Sequence, residues 1–309
     1  MTRNEFIKGA GAAAVVAAAA ADSVASDGER AAAAHDYKKL QAEIDVVTPQ
    51  DYARYCEEGS GRPSETSGHG AAALVRLDEA FDRVLAEVKS TTVTGRPAIW
   101  YVYNMGVVVK TAGCCFSIDL RHRKGAQMEP LLDFALITHN HGDHFTEDFY
   151  RAMNGAKKTV ISNFKDNYGV RDRMKNGGYT RAEKTFRIGD VSIRTSLTDH
   201  NGYLVDFTTA FEVTAGDYTI YHSGDCSNPL KLNPTRRPDI WFVHPYCGLK
   251  AADGVRRFHP KTTAIVHLTE LGHANGWARW TYEDGFRAAG EVKKAGGDAI
   301  VPVWGDRLV

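Results

Sequence analysis

The sequence has little cysteine and no excess of charge of either sign. Five cysteines occur among 309 residues, and none of them forms the C-x-x-C pair that is typical of a thiolate metal cluster. Twelve histidines are present instead, which favours imidazole-based metal chemistry. The 38 lysines and arginines balance 38 aspartates and glutamates, so no global field gathers phosphate backbones or anionic lipid. Nucleic acid is therefore not an expected partner.

A glycine-rich loop between an early strand and a helix is also missing, which argues against a doubly wound nucleotide-binding fold. Internal repeats are absent, and no low-complexity tract follows residue 35. At 43% hydrophobic residues, the chain can bury a sizeable core. We expect one core with N-terminal additions, because layered α/β folds of roughly 250 residues commonly form a single unit.

The first thirty residues have the layout of an export signal. Arg3 and Lys8 precede an uncharged run at 10–21, and small residues follow at 23–25. The stretch around Arg3 resembles a twin-arginine signal, with Asn4 where the second arginine belongs. We expect a periplasmic or extracellular protein, exported by this route or by general secretion. The alternative is an alanine-rich helix, and twelve residues are too few to span a bilayer, so no stable membrane anchor is expected.

The pattern of polar and apolar residues divides the chain into three parts. An export signal at 1–30 is followed by a helical leader and linker at 31–70, whose last part, 59–70, is rich in glycine, serine and proline. A single domain follows at 71–309. It begins with apolar residues at helical spacing, which predict one amphipathic helix over 71–88.

Short apolar or alternating runs with many β-branched residues predict eleven strands in this domain. They are Ala98 to Tyr103, Gly106 to Thr111, Cys115 to Leu120, Phe134 to Thr138, Thr159 to Ser162, Val191 to Leu197, Thr208 to Val213, Tyr218 to His222, Ile240 to His244, Ala264 to His267 and Ala299 to Trp304. Helical patterns interrupt them at Glu147 to Met153, Asn167 to Asn176 and Tyr282 to Ala295, and a glycine-containing turn at 214–217 predicts a hairpin. Strands joined partly by hairpins and partly by helices indicate a mixed α/β fold with helices on the outer faces.

A cluster of metal-binding residue types follows the fourth predicted strand. Three imidazoles and a carboxylate fall within six consecutive residues, as His139, His141, Asp143 and His144. Neutral imidazole and carboxylate are preferred ligands of Zn²⁺. A strand sends His139 and His141 to the same face, and Gly142 lets the chain turn toward a second position nearby. The spacing suits two adjacent metals, and the alternative is a polar surface loop.

This cluster resembles a known family signature. The His139-x-His141-x-Asp143-His144 motif, preceded by Leu136-Ile137-Thr138, is similar to that of the metallo-β-lactamase fold superfamily of hydrolases. The resemblance runs from about residue 99 to residue 304. Four further positions of the family also have a match here, each at the end of an apolar run. Asp119 precedes the motif, and His200, Asp225 and His267 follow it. The sequence around His200 and Asp225 most resembles that of the ascorbate-6-phosphate lactonase-like branch.

The resemblance implies a fold and a set of ligands. The fold is a four-layer αββα sandwich, with helices outside two central mixed sheets. One metal is held by His139, His141 and His200. The other is held by Asp143, His144 and His267, with Asp225 between the two. The implied cofactor is a pair of zinc ions per chain, with Mn²⁺ or Fe²⁺ as alternatives.

Such a site implies a hydrolytic reaction on a small-molecule substrate. Two cations held close together lower the pKa of a shared water toward about 7, and the hydroxide attacks an ester, lactone, phosphoester or amide. Asp143 and His273 are the candidate catalytic residues, with His273 as proton donor to the leaving group or as a substrate ligand. His273 is also an alternative to His267 as the last metal ligand, and we favour His267 because it directly ends a strand pattern. Two other functions stay open: an iron-dependent redox enzyme of the same fold, and a non-catalytic exported metal-binding protein.

The remaining histidines have less specific surroundings. His222 and His244 lie at strand ends, and we expect them to support the site or to pack in the core. We expect His35, His69, His122 and His259, which lie in polar surroundings, to be solvated. Basic clusters at 231–237 and 256–257 are interpreted either as steering an anionic substrate or as a solvated face.

Overall fold

The computed structural model describes residues 35–57, 71–164, 183–274 and 277–309. The predicted export signal at 1–30, the linker at 59–70, the helix predicted over 167–176 and His69 lie outside these residues. Within the described parts, no helix has the length and apolar character needed to cross a bilayer. The five cysteines are all free thiols.

The first sheet is built from the strands that lead to the histidine-rich motif. Its order is β1-β2-β3-β4-β5, with β1 to β3 antiparallel and β3 to β5 parallel. The strands span Ala98–Tyr103 (β1), Gly106–Lys110 (β2), Cys115–Ile118 (β3), Phe134–Leu136 (β4) and Thr159–Ile161 (β5). Almost every residue in them is buried, as expected for a sheet covered on both faces.

The second sheet has seven strands in the order β12-β11-β10-β9-β8-β7-β6. Its β9 to β12 half is parallel, and its β6 to β9 half is antiparallel. The strands span Lys184–Ile188 (β6), Val191–His200 (β7), Leu204–Ala215 (β8), Tyr218–His222 (β9), Ile240–Val243 (β10), Thr262–Ile265 (β11) and Ala299–Ile300 (β12). The predicted hairpin at 214–217 joins β8 to β9 and is confirmed.

Helices lie on the outside of both sheets. The bounds are Tyr37–Asp45 (α1), Pro49–Glu57 (α2), Ala71–Ser90 (α3), Glu147–Gly155 (α4), Ala251–Phe258 (α5) and Tyr282–Lys294 (α6). Helix α3 packs on β1, α4 packs on β5, and α6 packs on β11 and β12. The apolar side chains of both sheets and of these helices form one hydrophobic core. The four-layer arrangement implied by the resemblance is therefore confirmed.

The leader helices α1 and α2 belong to the same packed body as the sheets. Leu40, Ile44, Tyr52 and Tyr55 are buried in the common core. The Arg279 guanidinium donates to the carbonyls of Val47, at 2.7 Å, and of Leu271, at 2.6 Å. One buried cation thus ties the leader to the loop after β11.

All eleven predicted strands are present, but several differ at their ends. Strand β6 and helix α5 were not predicted. The last predicted strand, 299–304, is a strand only over Ala299–Ile300, because the chain then turns and runs along β1, where the Leu308 amide donates to the Ile99 carbonyl. Strand β6 has a mostly exposed, polar pattern, and α5 has only 8 residues, too few for its helical period to stand out.

The prediction that His122 is solvated was wrong. Its side chain is buried, its ring stacks on Phe81 at 4.1 Å, and its Nε2 lies 3.1 Å from the Tyr55 hydroxyl. Burial lowers the pKa of His122 to about 3, so it packs as a neutral aromatic ring. The basic neighbours in sequence, Arg123 and Lys124, reach instead for Asp78, which is why the local sequence looked solvated. His35 is half-buried, with its Nε2 2.8 Å from Asp306, whereas His259 is exposed as expected.

Candidate metal centre

The candidate residues all follow the ends of strands that meet between the two sheets. Asp119 comes directly after β3, and the 139–144 loop comes after β4. On the second sheet, His200 ends β7, Asp225 follows β9, and His267 follows β11. The carbonyl of Thr138 accepts a hydrogen bond from the Thr209 amide on β8, which joins the two sheets beside the loop. Residues far apart in sequence are thereby brought to one place.

The first group consists of His139, His141 and His200. Each of them offers one ligand atom, and these atoms lie within 4.8 Å of one another. His139 Nε2 and His141 Nδ1 are 3.1 Å apart, and the rings of His141 and His200 are 4.7 Å apart. The Phe207 ring closes the group at 5.1 Å from the His141 ring. Three imidazoles therefore converge against an apolar wall.

The second group consists of Asp143, His144, Asp225 and His267, whose ligand atoms also lie within 4.8 Å of one another. His267 Nε2 is 3.1 Å from Asp143 Oδ2, and His144 Nε2 is 3.6 Å from the same oxygen. Except for Asp143, which is half-buried, these side chains are buried. Two carboxylates and two imidazoles therefore form a second convergent set.

Asp225 lies between the two groups. Its Oδ2 is 4.0 Å from His139 Nε2 and 3.5 Å from His200 Nε2 in the first group. The same oxygen is 3.4 Å from both His144 Nε2 and His267 Nε2 in the second group. Four imidazoles, two from each group, thus surround a single carboxylate oxygen.

The backbone before Asp225 can be built only with glycine. Gly224 has a φ of +53°, and a Cβ there would lie 2.7 Å from Thr208 Cγ2 and 2.9 Å from Thr138 Cβ. This close approach of β9 to the loop after β4 brings Asp225 against the histidines. Asp119 and His267 also have positive φ, at 48° and 60°, in the left-handed region that is uncommon for residues other than glycine.

Side chains outside the two groups hold the ligand residues in place. Asp119 Oδ1 accepts from the Thr138 amide at 2.8 Å, and its Oδ2 lies 2.9 Å from His144 Nδ1. Asn104 Nδ2 donates to the carbonyl of Asp143 at 2.9 Å and to its carboxylate at 3.3 Å. A contact such as that of Asp119 with His144 Nδ1 fixes the ring orientation of a ligating imidazole and points its other nitrogen at the metal.

The two groups have opposite electrostatic character. Burial, and then the neighbouring His144, hold the pKa of His139 well below its ordinary value. Burial also opposes charge on His267, but Asp225 and Asp143 outweigh it and raise the pKa of His267 to about 10. Burial therefore favours the neutral form of His139 in the first group, whereas the second group contains carboxylates that attract positive charge.

The donor set fits a pair of metal ions. His144 Nε2, His200 Nε2 and Asp225 Oδ1 are buried and have no hydrogen-bond partner among the described residues. Such orphaned acceptor and donor atoms are costly unless something else binds them. Two ligands at about 2.1 Å from one tetrahedral ion lie about 3.4 Å apart, and the separations of 3.1 to 3.6 Å within the second group agree with this value.

The other predicted residues are distributed around this centre. His273 lies in the same cleft, half-buried, with its Nδ1 2.7 Å from Glu270 Oε2, and it is absent from both ligand groups. His244 also lines the cleft and stacks on His267 at 3.9 Å. His222 is buried and its Nε2 lies 2.9 Å from the carbonyl of Met105, so it packs beside the centre.

Asp199 precedes His200 in the chain, and three tryptophans lie near the C-terminus. Asp199 does not contact His200 through its side chain, and instead accepts from Asn228 at 2.9 Å and lies 2.6 Å from Lys231. Trp277 and Trp280 line the cleft, and Trp304 is buried in the core. Lys231, Arg236, Arg237, Arg256 and Arg257 are not among the described residues that line it.

The cleft has a volume of about 1080 Å³ and includes residues that sequence reasoning missed. Cys247 Sγ lies 3.1 Å from the carbonyl of Asp225, and the thiol forms a third possible ligand group with His200 and Asp225. Burial raises the pKa of this thiol. Arg121 and Glu270 also line the cleft. None of these follows a recognisable motif, and only the folded chain brings them to the site.

Residues 104–250 match the model of a family described as the beta-lactamase superfamily domain. No curated protein sequence matches the chain. The matched segment contains the 139–144 motif, His200 and Asp225, and it ends before His267.

Several solved structures share the fold. CmlA, a diiron beta-hydroxylase from Streptomyces venezuelae, is 15% identical with a TM-score of 0.52, over 68% of this chain and 53% of that one. This chain thus spans about half the length of that hydroxylase. Igni18, a novel metallo hydrolase from the hyperthermophilic archaeon Ignicoccus hospitalis, is 16% identical with a TM-score of 0.51, over 69% and 97%.

A third structure is the metallo-beta-lactamase fold protein YhfI from Bacillus subtilis. It is 13% identical with a TM-score of 0.50, over 69% of this chain and 99% of that one. At these identities the likeness shows the fold alone. The metallo-β-lactamase fold is thereby confirmed, whereas the lactonase-like branch stays a prediction.

Proposed function

Since the chain carries a beta-lactamase superfamily domain over residues 104–250, we propose that it is a metal-dependent hydrolase with a two-metal centre. The proposal rests on one observation above all. Seven imidazole and carboxylate side chains, drawn from four segments of both sheets, converge in two adjacent groups, with Asp225 belonging to one and reaching the other. A purely structural histidine cluster would not leave the buried Nε2 atoms of His144 and His200 without a hydrogen-bond partner among the described residues.

In this proposal His139, His141 and His200 hold one cation, and Asp143, His144 and His267 hold the other, with Asp225 shared. Bound there, the cations lower the pKa of water and polarise the bond that is attacked, without a serine or cysteine nucleophile. Zinc suits this donor set, and two ions per chain match its two groups.

The chain's own residues supply orientation and protons. Asn104 donates to the backbone carbonyl of Asp143 at 2.9 Å and to its carboxylate at 3.3 Å, which holds this carboxylate among the residues of the second group. His273 keeps one ring nitrogen against Glu270, which leaves the other able to give a proton to the leaving group. The hydrogen bond with Glu270 raises the pKa of His273, which favours the protonated form that a proton donor needs.

The substrate in this proposal is a small molecule with an ester, lactone, phosphoester or amide bond. The cleft of about 1080 Å³ is large enough for a drug-sized molecule. Trp277 and Trp280 give it an aromatic wall, and the ligand residues form its floor. Such a cleft orients a substrate by apolar contact while its reactive bond meets the polar residues.

The experiment that tests this function is a hydrolysis screen with metal-free and zinc-loaded protein. Generic phosphodiester, lactone, carboxylic ester and β-lactam substrates are compared, and we expect zinc-dependent turnover of at least one of them. His141→Ala removes a donor of the first group and is expected to lower both metal content and rate. His259→Ala, an exposed histidine away from the cleft, is the matched control. Unchanged metal content in His141→Ala would contradict the ligand assignment.

An iron-dependent redox enzyme is the second candidate. The fold neighbour CmlA is described as a diiron beta-hydroxylase, and the second group of this chain contains the carboxylate oxygens that iron also accepts. Iron-dependent consumption of dioxygen, with no hydrolysis by any metal form, would favour this candidate. Two zinc ions per chain without turnover of any substrate would favour a non-catalytic metal-binding protein.

A further inference from the structure

Arg121 lines the same cleft as the candidate metal ligands. It lies two residues after Asp119, and its backbone therefore continues the strand end that supports His144. Its guanidinium carbon lies 5.6 Å above the ring of Tyr52, which belongs to the leader helix α2. Of the described residues that line the cleft, Arg121 is the only lysine or arginine.

The guanidinium of Arg121 has almost no hydrogen-bond partner. Its Nε is buried without a hydrogen-bond partner among the described residues. Its one hydrogen bond to them runs from Nη2 to the sulfur of Cys56, at 3.6 Å. A thiol sulfur is a weak acceptor, so this contact leaves most of the five donors unused. Arg121 is half-buried. Partial removal of a cation from water without an acceptor is costly, and such a group is well suited to bind an anion that enters from solvent.

Glu270, a buried carboxylate that lines the cleft, is already paired. Glu270 has its Oε2 2.7 Å from His273 Nδ1, and its Oε1 accepts from the Tyr103 hydroxyl at 3.1 Å. Among the described residues, no carboxylate oxygen lies within ion-pair distance of Arg121, although the charge of Glu270 is close enough to stabilise the cation. The cleft therefore contains a cation whose ion-pair position is open.

We propose that Arg121 binds an oxyanion carried by the substrate, a carboxylate or a phosphate group, and makes this protein selective for anionic substrates. The proposal rests on the hydrolase function and adds the substrate class to it. A planar guanidinium binds either group through two parallel hydrogen bonds. The Tyr52 ring keeps the guanidinium plane in place, so the leader helix α2 takes part in substrate recognition. The oxyanion sits at the leader side of the cleft while the scissile bond lies at the metal ligands.

The test compares two esters that differ in one charge. Mono-(4-nitrophenyl) glutarate carries a free carboxylate, and 4-nitrophenyl pentanoate does not. In both, water adds across the ester C–O bond and 4-nitrophenolate leaves. We expect the zinc-loaded wild-type protein to have the higher kcat/KM for the anionic ester, and Arg121→Gln to reduce the ratio of the two kcat/KM values by about 10- to 100-fold, as loss of a charge-assisted hydrogen bond requires. An unchanged ratio would overturn the proposal.

Matched variants separate charge from folding. Arg54→Gln removes an exposed arginine from the same helix α2 and is expected to keep the wild-type ratio. Arg121→Met keeps the aliphatic stem that packs beside Tyr52, and it replaces Arg121→Gln if that variant fails to fold. Arg121→Lys keeps the charge without the planar fork and is expected to give an intermediate ratio.

A binding measurement separates this proposal from the proposed function. Glutarate and glycerol 2-phosphate are titrated by calorimetry into metal-free wild-type protein and Arg121→Gln, with 1,5-pentanediol as the uncharged control. We expect at least one of the two anions to bind the wild-type protein and to bind Arg121→Gln at least 10-fold more weakly, and the anion that does so identifies the group. If neither ester is hydrolysed, the hydrolase function fails while this result still decides the role of Arg121. Equal binding to both proteins, or none to the wild type, overturns the anion site.

Discussion

Asp119 Oδ2 lies 2.9 Å from His144 Nδ1, and both side chains are buried. The carboxylate also accepts from the Thr138 hydroxyl at 2.8 Å, so it joins β3 to the loop that carries the histidine-rich motif. The contact fixes the plane of the His144 ring and directs its Nε2 toward Asp143 and Asp225, at 3.6 and 3.4 Å. Asp119 is a positioning residue for the second group of ligands.

Asp119→Asn is expected to weaken zinc binding by about 10- to 100-fold while the protein stays folded, because the amide no longer holds His144 as a charged carboxylate does. Competition with a chromogenic chelator measures the affinity, and circular dichroism checks the fold. Asp217→Asn, in the exposed turn between β8 and β9, is the control. Wild-type affinity in Asp119→Asn would show that the His144 ring is held by packing alone.

His273→Gln is expected to lower kcat by about 10²- to 10⁴-fold without removing metal, because His273 gives a proton to the leaving group. The general acid must be protonated, so activity falls as pH rises through its pKa. Since the Glu270 hydrogen bond raises the pKa of His273, the alkaline limb of the wild-type pH–rate profile lies above the ordinary value for histidine. The variant should lose this limb. His259→Gln should keep the wild-type profile, and a variant that loses metal together with rate would assign His273 as a ligand instead.

Arg279→Lys is expected to lower the free energy of unfolding by about 2 to 4 kcal/mol. The guanidinium donates to the carbonyls of Glu270, Leu271 and Val47 at 3.0, 2.6 and 2.7 Å, and a lysine ammonium cannot reach all of them. Urea unfolding measures the change. Arg256→Lys, at an exposed i,i+3 pair on α5, is expected to change stability by less than about 0.5 kcal/mol. Equal effects of the two variants would mean that the leader is not tied to the loop by this residue.

Asp78→Asn is expected to cost about 3 to 5 kcal/mol at neutral pH, because it leaves the buried Arg123 without its carboxylate partner. Burial opposes ionisation of Asp78, but hydrogen bonds from Arg123 and Tyr55 prevail and lower its pKa. A carboxyl whose pKa is lower when folded contributes stability above its unfolded pKa, and this is lost as pH falls through the folded pKa.

The difference in unfolding free energy between wild type and Asp78→Asn should therefore be largest near neutral pH and shrink below the ordinary carboxyl pKa. Urea unfolding at a series of pH values measures it. Asp253→Asn, at the exposed pair with Arg256, should show a small difference at every pH. A gap between wild type and Asp78→Asn that stays constant in acid would contradict the assignment of the shift to this ion pair.

Local sequence signals located the strands and the cluster of candidate ligands at 139–144. Most predicted strands begin near their observed limits because buried β-strands carry an apolar run, whereas 299–304 is a strand only over Ala299–Ile300. Asp225 and His267 were assigned through the family resemblance, and the structure brings them within 3.4 Å of each other.

Residues that act through distant contacts were not predictable in this way. His122 looked solvated because its neighbours are charged, yet Tyr55 and Phe81, more than forty residues away, bury it. Arg121 and Cys247 follow no motif, and their roles depend on the leader helix and on the loop after β10. The two basic clusters of the sequence do not line the cleft, and Arg121 is the one arginine among the described residues that do.

The most direct measurement is anomalous diffraction at the zinc edge from crystals of zinc-loaded protein. We expect two strong peaks per chain. One should be bound by His139, His141 and His200, the other by Asp143, His144 and His267, with Asp225 between them. An absence of peaks at these side chains, or zinc bound elsewhere on the chain, would contradict the two-metal centre.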